Sequence, residues 1–225
     1  VDIPEEDWEN VQIIFATSAG DVRRNALSDF TNVRANGKIA MDLPDNVTLV
    51  NARIATQDDD VMLVTKSGRA IRFSTKAVRV FKGRKSTGVR GVRLTGDDCV
   101  VSMSILRHFE ASSDERAAYL KMRRAVAGMV DDEGAGTEDE EVSANATISP
   151  ERYAEMSAAE NLILTISSRG SGKLSSSHDY PVRGRGGMGV AAMDKAMRGG
   201  DLVASFPVDL EDQIMLATSK GQSIR

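Results

Sequence analysis

The densest chemistry in the sequence is cationic. Residues 61 to 95 carry ten bases (Lys66, Arg69, Arg72, Lys76, Arg79, Lys82, Arg84, Lys85, Arg90 and Arg93) and no Asp or Glu. Like charges at this density repel one another unless a polyanion neutralises them, and duplex DNA offers one negative charge per about 1.7 Å of its axis. Glycines at 83, 88, 91, 184, 186, 187 and 189 either free backbone N–H groups to approach phosphate oxygens or serve turn geometry alone. The competing reading of the cluster is a solvated face whose acidic partners come from elsewhere in the fold.

Catalytic chemistry is not visible. His108 and His178 stand without metal-ligand spacing, and no G-x-x-x-x-G-K-[ST] phosphate loop occurs. Cys99 falls in a predicted strand and has no second cysteine to pair with. Asp58-Asp59-Asp60 and Asp97-Asp98 read as strand-connecting turns. Neither a catalytic site nor a bound cofactor or metal is expected in this chain. The 225 residues, 41% hydrophobic and 28% charged, suffice for one or two cores, built from aliphatic side chains because aromatics are only 4%. No apolar run reaches the roughly 18 residues of a membrane span. The acidic start, Val1-Asp2-Ile3-Pro4-Glu5-Glu6, lacks signal-peptide character, so a reducing cytoplasm is expected.

The formal net charge of −4 conceals a partition. Residues 110 to 160 hold 13 acids and 5 bases, a net of −8; of the totals, 33 − 13 = 20 acids and 29 − 5 = 24 bases remain, a net of +4. The basic part is therefore able to meet a polyanion despite the acidic whole.

The elements that carry these cations repeat. Val61 to Arg72 aligns with Ile214 to Arg225 at six identities in twelve positions without a gap. Ile13 to Gly20 is a third copy and Leu162 to Leu174 a fourth, altered at its turn. Each is an apolar run, a small-polar turn with glycine and a second run, which is the signal of a β-hairpin. The turn glycines at 20, 68, 170 and 221 are spaced by 48, 102 and 51, so one interval contains an insertion of about one further period. A second signature follows three hairpins: Phe30, Arg34, Gly37; Phe81, Arg84, Gly88; and Tyr180, Arg185, Gly189. The aromatics recur in phase, which fits packing better than base stacking. Apolar strands come behind, at Val47 to Val50, Cys99 to Met103 and Leu202 to Phe206. Four-stranded units at this period predict an all-β, propeller-like array. The expected divisions are blades at 10–58, 59–109 and 161–211, the opening hairpin of another at 212–225, and an insertion at 110–160.

The insertion reads differently. Ser112-Ser113-Asp114-Glu115 offers a capping box, with Ala118, Met122, Ala125, Val126 and Met129 as the apolar helical face. Ser149-Pro150-Glu151 opens a second short helix. Residues 131 to 148 are acidic and rich in Gly, Ser and Ala, and are expected to be partly disordered.

The pattern apolar-apolar-x-Thr-x-x-Gly, then aromatic, Arg and Gly, resembles the β-pinwheel C-terminal domain of the gyrase and topoisomerase IV A subunits. Phe81-Lys82-Gly83-Arg84-Lys85-Ser86-Thr87-Gly88 and Tyr180-Pro181-Val182-Arg183-Gly184-Arg185-Gly186-Gly187-Met188-Gly189 carry the likeness. It covers residues 10 to 109 and 161 to 225, about three and a quarter blades of a six-bladed array. The resemblance implies a non-catalytic domain that wraps double-stranded DNA without marked sequence preference. Its parent would be an ATP-dependent type II topoisomerase of A2B2 form, supporting negative supercoiling at the nucleoid, with ATP and Mg²⁺ used in other segments. The expected DNA contacts are Arg34, Lys38, Lys66, Arg69, Arg72, Lys82, Arg84, Lys85, Arg90, Arg93, Lys173, Arg183 and Arg185. The gyrase-type Gln-Arg-Arg-Gly-Gly-Lys/Arg-Gly box is missing, as expected if the chain starts after the first blade. The alternatives are the topoisomerase IV A-subunit domain and a propeller that serves as a protein-interaction scaffold.

Overall fold

The computed structural model describes residues 3–31, 33, 35–127 and 146–224. Residues 131 to 145 of the expected acidic stretch, and Met129 on the predicted helix, lie outside them.

The repeated hairpins form where the pattern places them. Strands β1 (Gln12–Thr17) and β2 (Asp21–Ala26) pair antiparallel, and β3 (Leu49–Ala55) joins the far side of β1. The next unit repeats this with β4 (Asp59–Thr65), β5 (Arg69–Ser74) and, after the two-residue β6 (Val89–Arg90), β7 (Val100–Arg107). Helices α1 (Ser113–Val126) and α2 (Pro150–Ala159) follow. The third unit has β8 (Leu162–Ser167), β9 (Gly172–Ser176), β10 (Val190–Ala191), α3 (Lys195–Arg198) and β11 (Leu202–Val208). A last hairpin, β12 (Leu216–Ala217) with β13 (Ser223–Ile224), opens a fourth.

The sheets do not coincide with the sequence units. Their strand orders are β3-β1-β2-β6, β10-β5-β4-β7 and β11-β8-β9. The fourth strand of each of the first two sheets is lent by the following unit: Val89 pairs with Val22, and Val190 with Ala70. Each of the units at 10–58, 59–109 and 161–211 thus supplies three strands to its own sheet, and the short β6 and β10 pair with the sheet of the unit before. The sequence pattern marks a strand and its faces, but not which open edge it pairs with.

Stacking of the sheets explains the continuous apolar run Val61-Met62-Leu63-Val64. Val61 and Leu63 enter a core with Ile14, Val22, Val92 and Met103, whereas Met62 and Val64 enter another with Leu106, Ile163, Tyr180 and Leu202. A strand buried on both faces loses the alternation of a half-buried one. Each such side chain contributes about 1.5–3 kcal/mol on burial. The units also meet through β3, β7 and β11, which contact one another in that order, at the opposite ends of the first two sheets from the lent strands β6 and β10.

The insertion is a helical arm seated on the third unit. Ser112 and Glu115 form the predicted capping box, and the Ser149 hydroxyl caps α2 with Pro150 in its first turn. The buried face of α1 differs from expectation: Ala118 and Tyr119 are buried, while Met122 and Val126 are exposed. Tyr119 stacks on Tyr153 at 5.0 Å and meets the His178 ring edge-on at 4.9 Å. His178 is itself buried, with Nε2 2.9 Å from the Met156 carbonyl. Aromatic contact through Tyr119, more than the predicted aliphatic face, docks this helix.

One buried position varies instructively between units. Asp60 and Arg72 form a buried ion pair at 2.8 Å in the second. Their equivalents one period earlier are Gln12 and Arg24, and 102 residues later Leu162 and Leu174. Arg24 is only 8% exposed, and its Nε and Nη1, like Gln12 Oε1, have no hydrogen-bond partner among the described residues. Burial alone lowers the Arg24 pKa. Leaving a buried donor unmade costs about 1–3 kcal/mol. Gln12→Asp is therefore expected to raise stability by about 1 kcal/mol, read as a higher urea midpoint. An unchanged or lower midpoint would show that the carboxylate does not reach Arg24.

Candidate nucleic-acid interface

Each cation has to be placed before any is assigned to DNA. Arg72, expected as a contact, is corrected by its surroundings. It is 3% exposed, its Nε bonds Asp60, and its Nη1 and Nη2 donate to the carbonyls of Ser177 and Arg107 at 2.8 and 2.9 Å. Asp60 is correspondingly a core carboxylate on β4, not part of a turn, and its other oxygen lies 2.8 Å from His108 Nδ1. With three of its five donors bonded inside the fold and the side chain only 3% exposed, this guanidinium is out of reach of a phosphate. Lys66, at the β4–β5 turn, is 3.5 Å from Asp201 of the following unit. Arg69 Nη2 donates to the Gly189 carbonyl at 2.6 Å, fastening β10 to β5.

Other members of the set converge on three loops. Lys82, Lys85, Arg90, Arg93 and Arg185 are exposed, and Arg84 and Arg183 are half-buried. Arg79, omitted from the expected set, is also exposed, with its guanidinium 4.0 Å from the centre of the Phe81 ring. Arg185 Nη1 reaches the Arg90 carbonyl at 2.9 Å. The Gly186 amide donates to the Gly91 carbonyl at 2.6 Å and the Arg93 amide to the Gly187 carbonyl at 2.8 Å. On the other side, Arg84 Nη1 donates to the Ile39 carbonyl at 2.7 Å. Residues 37–40, 82–93 and 183–189 are in this way joined into one strip that crosses unit boundaries. Lys38, in the first of these loops, donates from Nζ to the Thr31 carbonyl at 2.8 Å. Arg34 lies outside the described residues. Lys173 sits apart on β9, where its charge partly opposes the burial that pushes the Asp179 carboxyl pKa up.

Sequence reasoning missed what lies under the strip. Arg23 and Asn25 on β2 are buried. Arg23 donates to Asn25 Oδ1 at 2.7 Å and to Ser86 Oγ at 3.0 Å, and Asn25 Nδ2 donates to the carbonyls of Phe81 and Gly83 at 3.0 and 3.3 Å. Burial lowers the Arg23 pKa, Asp29 opposes this, and Arg79 and Arg84 add to it. The signal available is a pair of polar residues inside a strand whose counterparts one period later, Ile71 and Phe73, are apolar. The recurring aromatics pack as expected: Phe81 and Tyr180 are buried, and Phe30 lies 5.7 Å from Phe15. Burial pushes the Tyr180 phenol up to about 12, so it stays protonated at neutral pH.

Arg90 has a partial partner in Asp21, opposite it in the β2–β6 pairing; burial raises the Asp21 pKa while the Arg90 charge opposes this. Among the described residues no such register partner faces Lys82, Lys85 or Arg93. A separate cleft of about 1070 Å³, lined by Arg72, His108, Arg116, Arg152 and His178, belongs to the junction with the helical arm and not to this strip. Its Arg152 is already bonded to Glu115 at 2.8 Å and Glu155 at 2.9 Å.

Comparison with known proteins places the chain. Residues 12–56, 59–107 and 161–206 match the family model described as DNA gyrase C-terminal domain, beta-propeller. The chain is 45% identical to the A subunit of DNA gyrase from Granulibacter bethesdensis over 99% of its own length and 25% of that protein. To the corresponding protein of Rickettsia bellii it is 39% identical over 98% of its length and 24% of that protein. It thus spans about a quarter of the length of these relatives. A solved C-terminal domain of DNA topoisomerase IV superposes with a TM-score of 0.67 at 19% identity, covering 99% of this chain and 54% of that one, a likeness of fold. The three matched stretches are the three sheet-forming units and leave out the helical arm, and together they make up more than half of the chain, which therefore belongs to the DNA gyrase C-terminal domain family of β-propeller type.

Proposed function

We propose that the chain binds duplex DNA along the strip formed by residues 37–40, 82–93 and 183–189 and bends it around the stacked sheets. The observation that carries this reading is the continuity of that strip, with Lys82, Lys85 and Arg93 exposed on loops that are hydrogen-bonded from unit to unit. Such a surface reads no bases; exposed cations such as Lys82, Lys85 and Arg93 neutralise phosphates, and backbone N–H groups near the glycines position the backbone. Smooth bending of 20–30 bp costs about 1–6 kcal/mol, so several phosphates must be engaged together to offset it.

In the intact protein, this bending would present DNA to the strand-passage machinery of an A2B2 type II topoisomerase in the cytoplasm, at the nucleoid, supporting negative supercoiling. ATP hydrolysis and Mg²⁺ chemistry belong to other segments in this reading. The topoisomerase IV likeness is structural at low identity, whereas relatives by sequence are gyrase subunits, which favours wrapping over decatenation.

The test is a gel-shift titration over salt, with linear duplexes of increasing length. Binding is expected to tighten beyond a threshold length, with log K falling by about 0.9 per log unit of salt for each phosphate neutralised. The triple variant Lys82→Ala, Lys85→Ala, Arg93→Ala is expected to reduce that slope by about 2.7, three times the single-phosphate value, without shifting thermal unfolding. Salt-insensitive binding by the parent chain would reject the DNA reading in favour of a protein scaffold, and an unaltered slope in the variant would remove these three residues from the contact list.

A further inference from the structure

The signature arginine recurs once per unit, at 34, 84 and 185, and the two described copies make the same bond. Arg84 Nη1 donates to the carbonyl of Ile39, and Arg185 Nη1 to the carbonyl of Arg90. Ile39 and Arg90 are themselves equivalent, each two residues past the recurring glycine, Gly37 and Gly88. Both acceptors belong to the preceding unit. Arg185 extends further, with Nε 2.9 Å from the Ala77 carbonyl, so one side chain grips two points of the neighbouring unit. Among the described residues neither arginine is within ion-pairing distance of a carboxylate.

The chemistry of the acceptors decides the role. A guanidinium presents five donors in a rigid plane and can span two fixed carbonyls, whereas an ammonium on a flexible stem holds no set angle between them. Next to the grip, the Gly186 and Arg93 amides close the same loop-to-loop seam. Lys82 and Lys85, flanking Arg84, make no comparable inter-unit bond in the described residues and are exposed.

We propose that Arg84 and Arg185 are positioning residues that set the angle between consecutive loops of the strip, and so the curvature imposed on DNA, while neighbouring lysines neutralise the phosphates. This rests on the strip being the DNA-binding surface. Stiff duplex yields to bending only if several loops engage it at fixed spacing. A loosened seam leaves each loop its charge but removes the preorganisation that makes the contacts simultaneous.

The discriminating variant is Arg84→Lys with Arg185→Lys, which keeps both charges and loses the planar guanidinium at both positions, the two-point grip of Arg185 included. Expected are an unchanged salt slope, affinity within about twofold for duplexes too short to reach a second loop, and loss of at least about fivefold of the extra affinity of long duplexes. Energy transfer between dyes on the duplex ends should fall with it. In the DNA-free chain, hydrogen exchange at the Gly186 and Arg93 amides should become several-fold faster. Wild-type bending by the lysine variant would overturn the proposal, because charge alone would then suffice. The companion Arg84→Gln, Arg185→Gln variant should also lose bending while its salt slope stays near wild type; a slope reduced by two phosphates would make the arginines direct ligands and equally overturn it. Should the parent chain itself fail to bind DNA in a length-dependent way, the wrapping reading falls, and amide exchange still decides the seam: unchanged rates in the lysine variant refute it and faster rates support it.

Discussion

Replacing Asp60 by alanine is expected to lower the unfolding free energy by about 3–5 kcal/mol, a large part of the roughly 5–15 kcal/mol available to a domain. Asp60 is fully buried and, among the described residues, is the one carboxylate paired with Arg72, which burial makes a weaker base and which Asp60 restores. Alanine leaves the guanidinium inside the fold with only the carbonyls of Ser177 and Arg107 for company, and frees His108 of its nearest carboxylate. The bond to Ser177 also ties the second unit to the third, so a displaced Arg72 loosens more than one sheet. The pair itself is a different matter from its breakage. The third unit carries Leu162 and Leu174 at the same positions, and well-packed apolar residues often replace a buried pair at little cost. Asp60→Leu with Arg72→Leu should therefore recover most of what Asp60→Ala loses. Urea unfolding of the two variants checks this. A loss under about 1 kcal/mol in Asp60→Ala would mean that Arg72 finds water or another acceptor.

The same residues show where the sequence is legible. Hairpins are readable because an apolar run, a glycine turn and a second run recur in phase, and their β-strands follow those runs closely. The capping box of α1 is readable because capping is local, linking Ser112 to a residue three positions on. What the sequence leaves out involves partners distant in the chain. Asp60 resembles part of an acidic turn because the guanidinium that holds it stands on the next strand. Arg72 resembles a DNA contact because a count of bases carries no burial. Arg84 and Arg185 resemble phosphate ligands, yet each first meets a backbone carbonyl of the preceding unit. Tyr119 escapes a helical periodicity judged on aliphatic residues, whereas its real partners, Tyr153 and His178, come from α2 and the third unit. Local patterns reveal elements; long-range complementarity decides what those elements are for.

The lent strands make the second large prediction. Gly88 and Gly189 precede β6 and β10, with φ of 104° and 71°, in the region that side chains rarely enter. A Cβ on Gly88 would run into the Val22 carbonyl, and one on Gly189 into the Ala70 carbonyl, both backbone atoms of the strand being joined. Neither backbone can yield without breaking the pairing that follows, Val89 with Val22 and Val190 with Ala70. Backbone strain of about 1–3 kcal/mol and overpacking of about 1–3 kcal/mol act together. Gly189→Ala is accordingly expected to cost about 2–6 kcal/mol and to release β10 from β5, with faster hydrogen exchange along both. Gly37 supplies the control within the same chain. It shares the phase and a positive φ of 78°, but nothing lies within 4 Å of where its Cβ would stand. Gly37→Ala should therefore cost only the conformational part, about 1–2 kcal/mol. Equal losses at the two glycines would mean that φ alone governs these positions, and that strand lending between units does not depend on the close backbone approach.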